Sequence, residues 1–270
     1  MGKADNMDRI QKIFRKCRDE KRKALVIFNS CGFPDEKSSE ELIGKSIEAG
    51  ADIIELGVPF SDPIAEGPVI QEADIRALSG GVTTDDIFDM VKKLREKTEI
   101  PLVFMTYLNP VFHYGYEAFF ERCQDVGIDG IIIPDLPFEE KEEVDVVASR
   151  YGIDLISMIA PTSKERIRKI AKGAKGFLYV VSSMGVTGER TNITTDIGGM
   201  LKEIRSVSSV PAAVGFGIHT PDQAAEISKT ADGVIVGIHQ VITVLHFRFY
   251  RIIGQKESVF RRITFTIIEM

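Results

Sequence analysis

The feature that most constrains this chain is a regular alternation of short apolar runs with amphipathic stretches, which continues almost to residue 237. Each run has the length of a β-strand, is rich in β-branched or aromatic residues, and is bounded by glycine or proline. Strands that alternate with helices predict parallel βαβ units, and eight is the number that closes a barrel. The eight runs are Ala24–Asn29, Ala51–Gly57, Pro101–Tyr107, Gly130–Asp135, Leu155–Ala160, Gly176–Ser182, Val210–Gly215 and Gly233–Gly237.

Three of the stretches between these runs carry signals for the start of a helix. They are Ser38 to Ala49, with a Ser-Ser-Glu-Glu start, Thr84 to Lys97, with Thr-Thr-Asp-Asp, and Thr162 to Ala171, with Ser-Lys-Glu. The alternative architecture, an open doubly wound sheet, needs a Gly-x-Gly-x-x-Gly turn after an early strand, and the sequence has none there. We therefore predict one (β/α)8 TIM barrel domain, α/β in class, over residues 1–270.

Composition excludes several classes of function. The net charge of −6 argues against a nucleic-acid partner, because phosphates require a basic surface. The four histidines show no metal-ligand spacing, and the three cysteines, which are far apart, predict free thiols in a reducing compartment. No apolar run reaches the roughly 18 residues of a membrane span, and the N-terminus lacks the apolar core of a signal peptide. We therefore predict a cytoplasmic protein without a metal site.

One glutamate stands out in the second run, Ile53-Ile54-Glu55-Leu56-Gly57. The two faces of a barrel strand point to the helices and to the interior, so apolar Ile54 and Leu56 place Glu55 inside. A carboxylate there is costly to bury, and the carboxyl ends of barrel strands carry active sites. We predict that Glu55 is catalytic. The alternative is that it pairs with a structural lysine or arginine from elsewhere in the chain.

The segment after this strand, Val58–Pro68, contains three prolines and the acids Asp62 and Glu66. Prolines fix their own backbone dihedrals, so this acidic loop is expected to present its carboxylates reproducibly.

Glycine clusters end three late strands, around Gly185, Gly215 and Gly237. Backbone N–H groups in such turns can converge on an anion, and many barrels bind phosphate after strands seven and eight. Tight turns alone are the alternative explanation for each cluster.

With these motifs in order, the chain resembles the α subunit of tryptophan synthase, from about residue 8 to Gly237. The most specific element is Glu55-Leu56-Gly57-Val58-Pro59-Phe60-Ser61-Asp62-Pro63, continued by Gly67–Gln71. Further motifs of the resemblance are Met105–Pro110, Pro134–Pro137, Ala160–Thr162, Gly185–Gly188 and Gly215–Ile218. The family fold is a barrel, as the alternation of strands and helices already predicts.

The resemblance implies a lyase of tryptophan biosynthesis that cleaves indole-3-glycerol phosphate to indole and glyceraldehyde 3-phosphate. It implies that Glu55 exchanges protons with the substrate and that Glu66, where the family commonly has Asp, faces the indole N–H. By the same resemblance, the pocket residues are Phe28, Tyr107, Ile132, Tyr179, Thr187 and Phe216, and the phosphate-binding residues are Gly188, Gly217, Gly237 and Ile238.

The resemblance also implies a partner, the β subunit, in an α2β2 tetramer. Asp62 and the stretch after Gly188 match the family's contacts with that partner, and pyridoxal phosphate belongs to the β subunit rather than to this chain. Three alternative functions stay open. They are a stand-alone indole-releasing lyase, an impaired subunit that only docks on and activates the partner, and another phosphate-binding barrel such as a sugar-phosphate isomerase.

The C-terminal segment, residues 238–270, departs from the family pattern. After Gly237 the family continues with Ser-Ala, which opens a phosphate-binding helix, whereas this chain has Ile238-His239-Gln240. Our hypothesis is that a frame change near codon 238 replaced the family's terminus, and a lineage-specific ending is the alternative. Because isoleucine cannot cap a helix, we expect a weakened phosphate site at Ile238.

Overall fold

The computed structural model of the chain describes residues 7–182, 196–215, 218 and 221–237. The strands in these ranges are β1 Ala24–Ser30, β2 Ile53–Gly57, β3 Leu102–Met105, β4 Gly130–Ile132, β5 Asp154–Leu155, β6 Ser157–Ile159, β7 Leu178–Val181, β8 Ala212–Gly215 and β9 Gly233–Gly237. The helices are α1 Arg9–Asp19, α2 Glu36–Glu48, α3 Pro68–Ser79, α4 Thr84–Arg95, α5 Leu108–Tyr114, α6 Tyr116–Val126, α7 Glu142–Arg150, α8 Lys164–Lys172, α9 Ile197–Arg205 and α10 Pro221–Ser228.

The strands form one parallel sheet that wraps into a barrel. Its order is β5-β4-β3-β2-β1-β9-β8-β7-β6, and the first strand pairs with both β2 and the last strand, β9. The two ends of this order, β5 and β6, follow each other in the chain and are joined through Ile156, whose N–H donates to Ile131 O at 2.9 Å. The predicted (β/α)8 TIM barrel is therefore confirmed, and the doubly wound alternative is wrong.

The fifth predicted strand differs from expectation, because it is two short strands that pair on opposite sides. β5 pairs with β4 through Ile131 and Leu155, whereas β6 pairs with β7 through Ser157, Met158 and Ile159. The run Leu155–Ala160 has one polar residue, Ser157, but no glycine or proline that would predict this change. Which neighbour each residue pairs with depends on the closure of the whole sheet.

Strand alternation divides the buried apolar side chains into two layers. Ile54 and Leu56 belong to the layer between the strands and the surrounding helices, while Ile53 belongs to the barrel interior. The amino-terminal helix α1 adds Ile10 and Phe14 to the interior cluster, and the Phe14 ring lies 5.8 Å from that of Phe177. The interior is thus a packed core, as expected for a barrel of this size.

Local capping explains where the three predicted helices begin. Asp35 caps α2 by accepting a hydrogen bond from Ser38 N, so this helix begins at Glu36 and the predicted start at Ser38 is two residues late. Thr83 and Asp86 form a capping box at the start of α4. Ser163 caps α8 through Arg166 N. All three cysteines are free, as predicted, and the structure shows that they are also buried.

Candidate active site

Glu55 lies near the carboxyl end of β2, where its side chain faces the barrel interior. In the sheet it is level with Phe28 of β1 and Val103 of β3, both of which belong to the interior cluster. The neighbours Ile54 and Leu56 pack toward the helices. The period-two pattern of the strand therefore places this carboxyl where the sequence predicted it.

The environment of Glu55 favours its neutral form. The residue is 1% exposed, and neither carboxyl oxygen has a hydrogen-bond partner within the part of the chain that the structure describes. Burial first, and then the negative charge of Glu66, raise the pKa of Glu55 to about 8. The alternative reading, a structural ion pair with a lysine or arginine, is not supported by any contact among the described residues. An acid that keeps its proton near neutral pH is suited to general acid–base chemistry.

This raised pKa predicts a specific pH dependence of stability. Between pH 4.5, the ordinary pKa, and about 8, the folded protein keeps a proton that the unfolded chain releases. The contribution of Glu55 to stability is therefore present at low pH and is lost as the pH rises through this window. We expect Glu55→Gln, which does not titrate, to gain stability relative to the parent between pH 5 and pH 8. Urea unfolding of both proteins across this range measures the difference, and a difference that is independent of pH contradicts the prediction.

Glu66, the second acid predicted to be catalytic, is also buried, with 4% of its surface exposed. Its backbone is fixed on both sides, because its N–H donates to Pro63 O at 3.2 Å and its carbonyl accepts from Gln71 Nε2 at 2.8 Å. Gln71 lies in the first turn of α3, which begins with Pro68, a residue well suited to that position. The acidic loop is thus tied to the helix that follows it, and Glu66 is held close enough to affect the pKa of Glu55.

Tyr107 anchors the same loop from the end of β3. Its hydroxyl accepts a hydrogen bond from Ala65 N at 2.8 Å, and its ring lies 5.3 Å from that of Phe60. Burial and the nearby charge of Glu66 raise the pKa of the Tyr107 hydroxyl. This residue, predicted as a pocket residue, therefore also fixes the backbone beside Glu66.

Asp62, predicted as a partner contact, is exposed on the loop and accepts a hydrogen bond from the Ser61 hydroxyl.

Three other predicted pocket residues, Phe28, Ile132 and Tyr179, meet in the interior cluster. Two glycines make room for the rings. A Cβ on Gly57 would lie 2.7 Å from the Phe28 ring, and one on Gly215 would lie 2.5 Å from the Tyr179 hydroxyl oxygen. Burial, followed by the charges of Glu55 and Glu66, raises the pKa of Tyr179. The strand ends therefore surround Glu55 with aromatic and aliphatic surface.

Sequence reasoning missed a buried acid next to the acidic loop, Asp74 on α3. It is 6% exposed, and burial, opposed by the Phe60 N–H and aided by the charge of Glu66, raises its pKa to about 7. The signal was present in the sequence, since Asp74 lies among Ala73 and Ala77 on the buried face of this helix. A carboxylate on an apolar stripe marks an unusual environment. The backbone N–H of Phe60 donates to the Asp74 carboxylate, so Asp74 helps to hold the acidic loop in place.

Several predictions fall on residues outside the described ranges. These are the pocket residues Thr187 and Phe216 and the phosphate-binding residues Gly188, Gly217 and Ile238. Gly237 is described: it ends β9 level with Phe28 of β1. The hypothesis of a frame change in residues 238–270 also stays a prediction.

Within the described residues, no helix is long and apolar enough to cross a membrane. In the same part of the chain, no group of three or more His, Cys, Asp or Glu is placed to hold a metal ion.

Comparison with known families identifies what this arrangement is similar to. The model of the family described as tryptophan synthase alpha chain matches residues 14–262. That match extends past Gly237 into the C-terminal segment, residues 238–270. Curated relatives agree. The tryptophan synthase alpha chain of Lacticaseibacillus casei is 50% identical over 80% of this chain and 81% of its own length.

Other relatives and solved structures give the same result. The tryptophan synthase alpha chain of Thermoanaerobacter sp. (strain X514) is 48% identical over 86% of this chain and 88% of its own length. A structure of Mycobacterium tuberculosis tryptophan synthase has a TM-score of 0.82 at 33% identity and covers 96% of this chain and 99% of that one. A structure from Aquifex aeolicus VF5 has the same TM-score at 35% identity, over 96% of this chain and 97% of that one.

Proposed function

This chain belongs to the tryptophan synthase α chain family, and from that membership we propose its reaction and the residues that perform it. The chain is a lyase of tryptophan biosynthesis, which cleaves indole-3-glycerol phosphate to indole and glyceraldehyde 3-phosphate. One observation carries the assignment of the site: Glu55 is a buried carboxyl without a hydrogen-bond partner among the described residues, at the carboxyl end of a barrel strand. Active sites of this fold lie at that end.

Glu55 performs the proton transfers. With its pKa raised to about 8, it is protonated at neutral pH and can donate a proton to C3 of the indole ring. The resulting carboxylate then takes the proton of the glycerol hydroxyl as the bond between indole C3 and the glycerol carbon breaks. Indole leaves with the proton it received, and the glycerol fragment leaves as an aldehyde. Glu55 ends the cycle protonated, as it began.

Glu66 stabilises the positive charge that protonation at C3 creates on the indole ring. A carboxylate that accepts a hydrogen bond from the ring N–H attracts this charge most strongly in the intermediate, which is where catalysis needs it. Burial first, and this negative charge second, raise the pKa of Glu55 and so keep its proton in place before reaction. Two neighbouring carboxyls in different surroundings thus divide the acid and anionic roles between them.

The other predicted residues are proposed to bind the indole ring and the phosphate of the substrate. Phe28, Ile132 and Tyr179 offer the apolar surface that an indole ring requires. Gly237, at the end of β9, supplies backbone at the barrel position where many phosphate sites occur. Gly188, Gly217 and Ile238, which lie outside the described residues, are the proposed companions in that phosphate site.

The proposed partner is the β chain of tryptophan synthase, in an α2β2 assembly. The exposed side of the acidic loop, at Asp62, is the proposed contact, since it lies next to the site and is open to another protein. Pyridoxal phosphate is expected in that partner, and no step proposed for this chain uses it.

The test is direct measurement of indole released from indole-3-glycerol phosphate by the purified chain, with and without a β chain. We expect release by the chain alone and faster release with the partner. Release that the partner does not change indicates a stand-alone lyase. A chain that raises the partner's activity yet releases no indole is the impaired subunit, and that result contradicts the proposed reaction.

Gly57→Ala is predicted to damage the pocket without touching either carboxylate. The added Cβ would approach the Phe28 ring to 2.7 Å, so the ring must move into the space proposed for indole. We expect kcat/KM to fall by at least about tenfold, chiefly through KM, and stability to fall by about 1–3 kcal/mol. The matched control is Gly44→Ala on α2, where a Cβ meets nothing within 4 Å. Equal kinetics for the two variants would show that Phe28 does not contact the substrate.

A further inference from the structure

A seam opens in the barrel wall between β4 and β6. Hydrogen bonding between β4 and the fifth strand stops at Ile131 and Ile156, and β6 pairs with β7 instead. The chain after β4 reaches Pro134, which has no N–H to continue a ladder. The carboxyl-terminal parts of these neighbouring strands are therefore not joined by strand pairing.

A cavity of about 330 Å³ lies along this seam, near the lower limit of ordinary small-molecule pockets. It is lined by residues of the interior cluster, such as Ile156 and Val181, and by residues of the helix layer, such as Leu155 and Ile170. Phe138 adds an aromatic ring from the loop that precedes α7. The cavity therefore offers a compact and mostly apolar space.

A buried hydroxyl group, that of Ser157, lies at the cavity. Ser157, the first residue of β6, is 8% exposed and lines the cavity, and its Oγ has no hydrogen-bond partner within the described residues. Buried hydroxyl groups are nearly always hydrogen-bonded, so an orphan of this kind calls for a ligand or water atom in the cavity.

The charged side chains that line the cavity are cationic. Among the fifteen described residues that line it, Lys141 and Arg166 are cationic and none is a carboxylate. Lys141 Nζ donates to Gly173 O at 3.2 Å and lies 4.9 Å from the centre of the Phe138 ring. An ammonium has three donors, so Lys141 can bind a further acceptor. Arg166 forms a bidentate ion pair with Glu139, which accepts from both terminal nitrogens at 2.7 and 3.0 Å, so its charge is already partly offset and Lys141 is the main cation at the cavity.

From this combination we propose a second small-molecule site, which takes a monocarboxylate with a compact aromatic or branched apolar body. The apolar body fills the seam, the carboxylate meets Lys141 and Arg166, and one polar atom of the ligand satisfies Ser157. This site is distinct from the one proposed for the reaction, since neither Glu55 nor Glu66 lines the cavity.

The probe is 4-fluorophenylacetate, and fluorine NMR follows its binding to the full chain. Neutral 4-fluorophenylacetamide, which lacks the charge, is the control ligand. We expect the carboxylate to bind with a Kd of about 1 mM or tighter and the amide at least about tenfold more weakly. Lys141→Met should weaken carboxylate binding by about tenfold or more, because a charge-assisted contact is lost. The control is Lys172→Met, an exposed lysine of α8 that does not line the cavity.

Ser157→Ala is expected to weaken binding by about threefold or more while leaving the cavity open. Thermal unfolding of each variant confirms that it is folded, and Lys141 is a rim residue whose replacement should not prevent folding. The proposal is overturned by failure of the carboxylate to bind, by equal binding of the neutral amide, or by equal binding to Lys141→Met and Lys172→Met. The last result would place the ligand in another pocket.

Discussion

Replacing Glu55 by glutamine is expected to lower indole release by at least about 10²-fold, because an amide cannot donate and recover a proton at the rate of a carboxyl group. The change keeps the size of the side chain. Glu55 forms no hydrogen bond with any described residue, so no partner is left unsatisfied. We therefore expect the fold to be retained and the loss to appear mainly in kcat. Steady-state kinetics of indole release, with circular dichroism of the same samples, measures both.

The matched control is Glu41→Gln, which changes an exposed carboxylate on α2 to an amide. It should leave the kinetics unchanged. The pH profile gives a second check, since the parent should lose activity as the pH rises through about 8, where Glu55 loses its proton. Activity of Glu55→Gln within a few-fold of the parent would falsify the assignment of this residue as the proton donor.

Glu66→Ala is expected to reduce indole release by about 10²-fold, whereas Glu66→Asp should stay within about tenfold of the parent. The family commonly has aspartate at this position, so a carboxylate, rather than a particular side-chain length, is what the reaction needs. The loop itself should hold in both variants, because its anchors are the backbone contacts of Glu66 with Pro63 and Gln71 and the bond from Ala65 N to Tyr107.

The control for this pair is Glu72→Ala, an exposed acid of α3 six residues away in the chain. The alanine change at Glu66 has a second expected effect, which a purely structural residue would not show. Removing its charge should lower the pKa of Glu55, and with it the alkaline limit of any residual activity. Equal activity of the alanine, aspartate and parent forms would instead show that Glu66 is only an acid of the loop.

The order of strands and helices and the barrel fold could be predicted from local sequence patterns. Eight apolar runs of strand length, separated by helical stretches, indicated a barrel, and every run overlaps at least one observed strand. The alternation Ile54, Glu55, Leu56 was enough to turn Glu55 inward. These predictions succeed because strand and helix periodicity are properties of neighbouring residues. Helix starts were less secure, since the cap of α2 proved to be Asp35 rather than a serine.

The contacts of the site could not be predicted in the same way. The sequence left open whether a distant lysine or arginine pairs with Glu55, and only the folded chain shows that none does so among the described residues. Likewise, Asp74 meets the acidic loop because α3 folds back against Phe60. The split of the fifth strand at Ile156 follows from closure of the barrel.

The sequence by itself therefore determined the order of the elements, the inward face of β2 and the motifs that place the chain in its family. The tertiary structure decided the protonation of Glu55, the anchoring of Glu66 through Tyr107 and Gln71, and the cavity at Ser157. The physical reason is the range of the interactions. Periodicity is set by adjacent residues, whereas desolvation, electrostatic repulsion and unsatisfied hydrogen bonds depend on groups that only folding brings together.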